Sequence, residues 1–292
     1  MAQRTFFATF IGGMAAEALA GQRDGYVMGL TSKGIFLRCG EFVLFITDAP
    51  YKSPFNLYVP GFERLMDALA LNSPFEVLPG SLRFPTEALQ IVTENAEVWT
   101  PGFPTLVRTT AGQRKDKMFA LLEHISSLEA EKGWLFLHNH VPSFPAEVEE
   151  RILVNTRLFS DAYLHQQMVE CLAAAGHLLG LGGGLTPSGD DWLAGFILYQ
   201  ARLCQARASA QPFLESLKQE LLQLAAQKTT TISTNRILAA GRGWAEEPFL
   251  QVIDALFSGE DFPEGLAELL VRFGHSSGVD TTLGIFAALQ AE

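Results

Sequence analysis

Residues 176–198, GHLLGLGGGLTPSGDDWLAGFIL, decide how the second half of this 292-residue chain folds. An apolar segment leads into a turn with glycine at positions 180, 182, 183 and 184, and a second apolar segment follows two adjacent aspartates. Because glycine tolerates positive φ angles and has no side chain, such a turn can aim several backbone N–H groups at a ligand. The partial positive charge at the start of the following helix favours an anion there. The stretch therefore predicts two helices joined by an anion-binding turn.

Residues 273–289, FGHSSGVDTTLGIFAAL, repeat this pattern. In each stretch a serine lies three residues before an aspartate, and a glycine lies four residues after it: Ser188, Asp191 and Gly195 in the first, Ser277, Asp280 and Gly284 in the second. Residues at i and i+4 share one helix face, and a glycine on that face allows a second helix to approach closely. We therefore predict that the two helices cross near these glycines and that the two turns converge on one pocket.

Helix capping is an alternative explanation for part of this pattern. Both serine–aspartate pairs fit the capping box, in which the serine caps a helix and the acid three residues later reaches back to it. Asp190 has no part in such a box, and the glycine run also remains unexplained. Two adjacent acids behind a phosphate site also suit Mg²⁺, which makes it a candidate cofactor. Asp191 and Asp280 are therefore candidates for either metal binding or capping.

The first third of the chain has a different pattern. Between residues 26 and 59, short apolar runs alternate with turn-forming residues, and strand-like segments recur at 82–84, 89–92 and 97–99. We predict an α+β protein in which a β-rich N-terminal domain, residues 1–110, forms an antiparallel sheet or small barrel packed on a mainly helical domain, residues 111–292. Residues 133–142, GWLFLHNHVP, are predicted to be a short strand or extended loop, with His138 and His140 either forming part of a metal site or marking a polar strand end. Helical spacing is found at residues 117–131, 147–179, 191–207, 212–227, 233–240, 248–257, 264–273 and 278–290.

The composition excludes several classes of partner. The formal net charge is −11, and the 21 lysines and arginines form no basic stripe, so we expect no nucleic-acid partner. The three cysteines are widely separated and lack metal-binding spacing. Since no apolar run reaches the ~20 residues that a membrane span needs, we expect a cytoplasmic protein without membrane association. A small molecule with a phosphate or carboxylate group is the expected ligand.

The two stretches, together with TTTISTNRILAAGRGWAEEPFLQVIDAL at residues 229–256, resemble the bacterial AllH family. The resemblance is strong from residue 176 onwards and weaker over residues 26–65. The family's named member is a subunit of the oxamate carbamoyltransferase of anaerobic allantoin breakdown. The resemblance implies an enzyme that converts oxalurate and phosphate into oxamate and carbamoyl phosphate. It also implies two other subunit types as partners, one of them related to the FdrA/succinyl-CoA synthetase group.

The roles of individual residues follow from their chemistry. Asp190 and His275 are the candidates for moving a proton on or off the amide nitrogen. Thr230 and Ser233 are further pocket candidates from the family-like stretch, and Arg236 is a cation suited to a substrate carboxylate. The predicted phosphate- and substrate-binding residues are Gly182, Gly183, Gly184, Thr186, Ser188, Gly189, Ser276, Ser277 and Gly278.

Three functions remain open from the sequence. The first is a catalytic subunit of a carbamoyltransferase acting on oxalurate or a related ureido acid. The second is a non-catalytic assembly or ligand-binding subunit whose partners carry out the chemistry. The third is another phosphate- or Mg²⁺-dependent enzyme built on the same scaffold, because a shared fold does not dictate a shared reaction.

Overall fold

The computed structural model describes residues 4–292, so residues 1–3 of the predicted N-terminal domain lie outside it. The chain divides into two compact units, Met1–Pro101 and Gly102–Glu292. The first unit contains the β-sheet, and most of the second is helical. The predicted α+β class, with a β-rich N-terminal part and an α-helical C-terminal part, is confirmed.

One ten-stranded sheet is formed by the described part of the first unit. Its order is β1-β9-β8-β7-β3-β4-β5-β6-β2-β10. The strands are β1 (Arg4–Phe7), β2 (Phe10–Gly12), β3 (Asp24–Thr31), β4 (Gly34–Cys39), β5 (Phe42–Thr47), β6 (Asn56–Tyr58), β7 (Pro74–Leu78), β8 (Ser81–Phe84), β9 (Leu89–Val92) and β10 (Glu97–Trp99).

The sheet curls into a partly closed barrel through its first two strands. Only Ala8 and Thr9 separate β1 from β2, yet these strands lie near opposite ends of the sheet order. Ala8 N donates to Val92 O at 2.9 Å and Thr9 N donates to Tyr58 O at 2.9 Å, so this short segment links both sides. The antiparallel expectation is wrong in part, because β1 pairs with β9, β2 with β10 and β5 with β6 in parallel.

Alternation of buried and partly exposed residues accounts for the strands of the meander β3–β5. In β4, Ile35, Leu37 and Cys39 are fully buried and the residues between them are partly exposed, as period-two side-chain geometry requires. Ala15 of α1 (Gly13–Gly21) and Leu65 of α2 (Glu63–Met66) complete the apolar core of this unit.

Ten helices make up most of the second unit as described. The predicted helical segments are confirmed, except that residues 147–179 form two helices with a break at residues 165–167. The prediction of a strand or extended loop for residues 133–142 is wrong, because this segment contains a helical turn. The helices are α3 (Ala111–Leu128), α4 (Phe136–Asn139), α5 (Ala146–Leu164), α6 (Met168–Leu178), α7 (Ser188–Ala206), α8 (Pro212–Lys228), α9 (Thr231–Gly241), α10 (Glu247–Ser258), α11 (Leu266–Arg272) and α12 (Ser277–Gln290).

Helix α7 is the central element of this unit, since all of its residues from 188 to 203 are buried. Helix α12 crosses it at two glycines. A Cβ atom on Gly195 would lie 2.0 Å from Thr281 O, and one on Gly284 would lie 2.0 Å from Trp192 O. The predicted crossing is confirmed. In the described residues, no helix combines the length and apolarity that a membrane crossing requires.

Candidate functional site

The crossing of α7 and α12 brings the two turns together. Thr186 Oγ1, in the turn before α7, lies 2.8 Å from Ser277 Oγ in the first turn of α12. The predicted proximity of the turns is therefore confirmed. The side chains around this contact show which of the predicted residues face a ligand and which hold the fold together.

The turn before α7 is an exposed loop with backbone donors free for a ligand. Gly180, Gly182 and Gly184 have φ angles of 75°, 127° and 86°, a region that favours glycine. Residues 182–185 are exposed. Within residues 4–292, no hydrogen bond occupies the N–H groups of Gly182, Gly183 or Gly184. Three adjacent backbone donors in a loop that leads into a buried helix form a site suited to an anion.

Asp190, a candidate for proton transfer that has no part in a capping box, forms a structural link. Its side chain is buried; Oδ1 accepts from Gly180 N at 2.8 Å, and Oδ2 accepts from the Thr229 hydroxyl. Burial raises the pKa of Asp190, and these hydrogen bonds partly offset that effect. Asp190 therefore ties the start of the glycine turn to the junction of α8 and α9. No local pattern indicated these contacts, because the partners of Asp190 are distant in sequence.

Asp191 pairs with Arg236, the residue predicted to meet a substrate carboxylate. Arg236 Nη1 donates to Asp191 Oδ1, and Arg236 Nε lies 3.4 Å from Glu246 Oε1. The guanidinium also lies over the rings of Phe249 and Phe273, at 5.8 Å and 5.9 Å from their centroids. Arg236 thus joins α9 to α7 and is engaged within the protein.

The environment of Asp191 favours its protonated form. Its side chain is 1% exposed, and burial raises the pKa of Asp191 to about 8 although Arg236 acts in the opposite direction. The nearby Asp280 raises the pKa of Asp191 further. Asp191 Oδ2 is buried without a hydrogen-bond partner. This buried carboxyl group therefore has one counter-charge, Arg236 at Oδ1, and one oxygen without a donor.

Asp280 anchors a loop that the sequence did not associate with the site. Its Oδ1 accepts from Trp134 N at 2.7 Å. Gly133 has a φ of 54°, and a Cβ atom there would lie 2.4 Å from Asp280 Oδ1, so the contact requires glycine. Burial raises the pKa of Asp280 to about 6, against hydrogen bonds from Trp134 N and the hydroxyls of Ser188 and Ser276.

The capping-box interpretation is wrong for both turns. The residues that precede the first helical turns are Pro187 for α7 and Ser276 for α12, and neither side chain caps its helix. Ser188 instead lies close to Asp280 and Ser277 close to Asp191, across the helix crossing, and each serine lowers the pKa of that aspartate. The serine–aspartate spacing therefore serves a reciprocal contact between two helices.

The remaining predicted residues divide between surface and scaffold. His275 is exposed in the second turn. The Thr230 hydroxyl donates to Leu185 O at 2.7 Å and accepts from the backbone N–H of the buried Ser233 at 3.1 Å, which caps α9. The Thr230 hydroxyl therefore caps α9 and also supports the glycine turn through Leu185 O.

Gly189 and Gly278 serve close packing. A Cβ atom on Gly189 would lie 2.0 Å from Leu178 O, and one on Gly278 would lie 1.9 Å from Leu270 O. Their N–H groups are already used, by Leu181 O at 3.0 Å and Phe273 O at 3.1 Å. These two glycines therefore offer no backbone donor to a ligand.

The described side chains offer no arrangement that suits a metal ion. Residues 4–292 contain no group of three or more His, Cys, Asp or Glu side chains arranged to hold a metal ion. His138 bonds to Glu123 at 2.8 Å, whereas His140 is exposed with a φ of 58° at the end of α4. The prediction that these two histidines face the same side of a strand is therefore wrong.

A cavity of about 310 Å³ lies elsewhere in this unit, between α5 and α12, with Arg157, Trp192 and Phe286 among its lining residues.

Comparison with known families identifies one match. Residues 178–289 match the family model described as oxamate carbamoyltransferase subunit AllH. The matched segment begins at the end of α6, ends in α12 and includes both turns. No solved structure matches the chain.

Proposed function

We propose that this protein is the AllH-type subunit of a multi-subunit carbamoyltransferase that converts oxalurate, or a related ureido acid, and phosphate into oxamate and carbamoyl phosphate. The observation that carries the proposal is the set of unoccupied N–H groups at Gly182, Gly183 and Gly184, within the segment that matches the family. In this proposal the three N–H groups hold the phosphate.

Carbamoyl transfer to phosphate has requirements that this turn can meet. The phosphate must be held without a competing negative charge, and the side chains of Asp190 and Asp191, on the helix that follows the turn, are buried. The oxyanion that forms at the carbamoyl carbon needs preorganised donors, and backbone N–H groups at a helix start supply them. The exposed His275 and the Thr186–Ser277 hydroxyl pair border the same surface. We assign the chemistry to this face of the unit.

A second candidate is an assembly or ligand-binding subunit whose partners carry out the reaction. The engagement of Asp190 by Gly180 and Thr229 favours it, since this carboxylate holds the turn and cannot approach a substrate without breaking those bonds. In this candidate the turn still binds phosphate but presents it to a partner subunit. The expected partners, an FdrA-like subunit and a second subunit type, are the same for both candidates.

Co-expression with the two partner subunits tests the proposal. The assembled complex is expected to form carbamoyl phosphate from oxalurate and phosphate, and the partners without this chain are expected to form none. An assay of the isolated chain separates the two candidates, because this chain alone is expected to form carbamoyl phosphate from oxalurate only if it carries the reacting groups. A complex that assembles but makes no carbamoyl phosphate from any ureido acid would contradict the proposed reaction.

A further inference from the structure

The junction between α8 and α9 is two residues long, and both residues are threonine. Helix α8 ends at Lys228 and α9 begins at Thr231, which leaves Thr229 and Thr230 between them. Both have an extended backbone, with φ and ψ of −138° and −172° at Thr229 and of −72° and 155° at Thr230. Successive side chains of an extended chain point to opposite sides. The two hydroxyls of this junction can therefore reach different partners.

Those partners are the two ends of the glycine turn, at Gly180 and Leu185. At the first end, the Thr229 hydroxyl donates to Asp190 Oδ2, and the other oxygen of this carboxyl group accepts from Gly180 N at 2.8 Å. At the second end, the Thr230 hydroxyl donates to Leu185 O at 2.7 Å. Two adjacent threonines thus hold both ends of the turn, one through a buried carboxyl group and one directly.

The middle of the turn lacks such support. The N–H groups of Gly182, Gly183 and Gly184 make no hydrogen bond within residues 4–292. A Cβ atom on Gly183 or Gly184 would meet no atom within 4 Å. Glycine also has more accessible backbone conformations than any other residue. The fixed ends therefore restrict the arrangement that these three N–H groups can take.

We propose that Thr229 and Thr230 are positioning residues for the anion, because they hold the N–H groups of the glycine turn in the arrangement that binds it. This inference rests on the proposed function, in which the anion is phosphate. In this role neither threonine touches the phosphate, since each acts on one end of the turn. A turn released at either end would occupy the binding arrangement for a smaller fraction of the time. The apparent dissociation constant of phosphate would rise in inverse proportion to that fraction.

A structural role of Thr230 must be separated from this positioning role. Its hydroxyl also accepts from Ser233 N at 3.1 Å and so caps α9, and loss of an N-cap lowers stability by itself. Thr110 provides the matched comparison, because it caps α3 in the same way by accepting from Gln113 N at 3.2 Å. Within the described residues, none of the hydrogen bonds of Thr110 involves the glycine turn.

The test measures phosphate binding to the assembled complex by isothermal titration calorimetry, together with steady-state kinetics. Thr229→Val and Thr230→Val keep the shape of the side chain and remove its hydroxyl. Each is expected to raise the dissociation constant of phosphate about tenfold. By contrast, kcat at saturating phosphate should stay within about threefold of the wild type, because excess phosphate restores the binding arrangement.

The control variants separate the hydroxyl contact from general stability. Thr229→Ser and Thr230→Ser keep the hydroxyl and should bind phosphate within about twofold of the wild type. Thr110→Val should lower the midpoint of urea denaturation, as Thr230→Val does, but leave the dissociation constant of phosphate unchanged. The two threonines hold different ends of the turn, so either valine variant provides the test if the other fails to assemble.

The outcomes separate the positioning role from the proposed function. If the wild-type complex is active on oxalurate but the valine variants bind phosphate within about twofold of it, the positioning role is wrong and the proposed function stands. If Thr110→Val weakens phosphate binding as much as Thr230→Val, the effect is a general loss of stability and the positioning role is likewise overturned. A wild-type complex that binds no phosphate and forms no carbamoyl phosphate overturns both.

Discussion

Gly195 and Gly284 lie opposite each other where α7 and α12 cross, and each leaves no space for a side chain. A Cβ atom on either would lie 2.0 Å from a carbonyl oxygen of the other helix. This close approach brings the two turns into contact and allows each serine to reach the aspartate of the other helix. The candidate site thus depends on two residues that carry no functional group.

Gly284→Ala should therefore destabilise the protein strongly. The added methyl group would overlap Trp192 O, and backbone that belongs to a buried helix cannot move away cheaply. We expect a loss of about 3 kcal/mol in the free energy of unfolding, measured by urea denaturation. Gly112→Ala in α3 is the control, because its nearest atom lies 3.9 Å from the added Cβ. Equal stability of the two variants would show that the helices do not cross as described.

Asp190→Asn should lower the free energy of unfolding by about 2 kcal/mol. The carboxylate accepts hydrogen bonds from the Gly180 N–H and the Thr229 hydroxyl on its two oxygens, whereas the amide has only one oxygen to accept them. The measurement is the midpoint of chemical denaturation. The exposed Asp116→Asn in α3 serves as the comparison and should change little. An unchanged midpoint for the Asp190 variant would mean that this residue does not hold the turn.

Gly133→Ala should weaken the loop that covers the start of α12. Its φ of 54° is unfavourable for alanine, and the new Cβ atom would lie 2.4 Å from Asp280 Oδ1. Gly265→Ala shares the unfavourable φ, at 75°, but has no atom within 4 Å of the added Cβ. The loss at Gly133 should exceed the loss at Gly265 by about 1 to 3 kcal/mol. Matching losses would assign the whole effect to backbone strain and none to the contact with Asp280.

The stability of the protein should depend on pH through Asp280. Because burial raises the pKa of Asp280 from 3.8 to about 6, the folded state holds this proton more tightly than the unfolded chain. The contribution of Asp280 to stability is therefore full below the unfolded value and is lost as pH rises towards the folded value. Asp280→Asn should lack this component.

Urea denaturation of both proteins at about pH 4 and about pH 7 isolates the effect. The wild type should lose on the order of 2 kcal/mol more than Asp280→Asn over that interval. Titrating groups remote from Asp280 are common to both proteins and cancel in the comparison. Asp191 does not cancel, because loss of the Asp280 charge also lowers the pKa of Asp191. Parallel pH dependence in the two proteins would show that Asp280 is ionised in the folded state at low pH.

Much of the helical architecture could be predicted from the sequence because the signals are local. Apolar periodicity located the helices, and the repeated aspartate–glycine spacing predicted that α7 and α12 would cross. The same local reasoning favoured capping boxes, since a serine three residues before an acid satisfies that motif whatever lies opposite. Only the crossing decides that Ser188 reaches Asp280 and Ser277 reaches Asp191.

The remaining features depend on contacts between distant residues. Asp190 is held by Thr229, and Asp280 by the loop containing Trp134, and neither contact has a sequence pattern of its own. Residues 133–142 resemble a strand because Phe136 and its neighbours are apolar, but their burial in the helical unit stabilises a single helical turn. Strands β1 and β2 were not predicted, because they pair in parallel with β9 and β10, which are distant in sequence, and no local pattern reports such pairing.

The central claim is that the glycine turn holds the phosphate of the transfer reaction, and Gly183 offers its most direct test. A side chain at Gly183 would meet no atom within 4 Å, so substitution there leaves the fold undisturbed. In the assembled complex, Gly183→Asp places a negative charge beside the N–H groups and should raise the KM for phosphate by about tenfold or more, with the KM for oxalurate little changed. Gly183→Ala should raise it far less. An unchanged KM for phosphate in the aspartate variant would contradict the account.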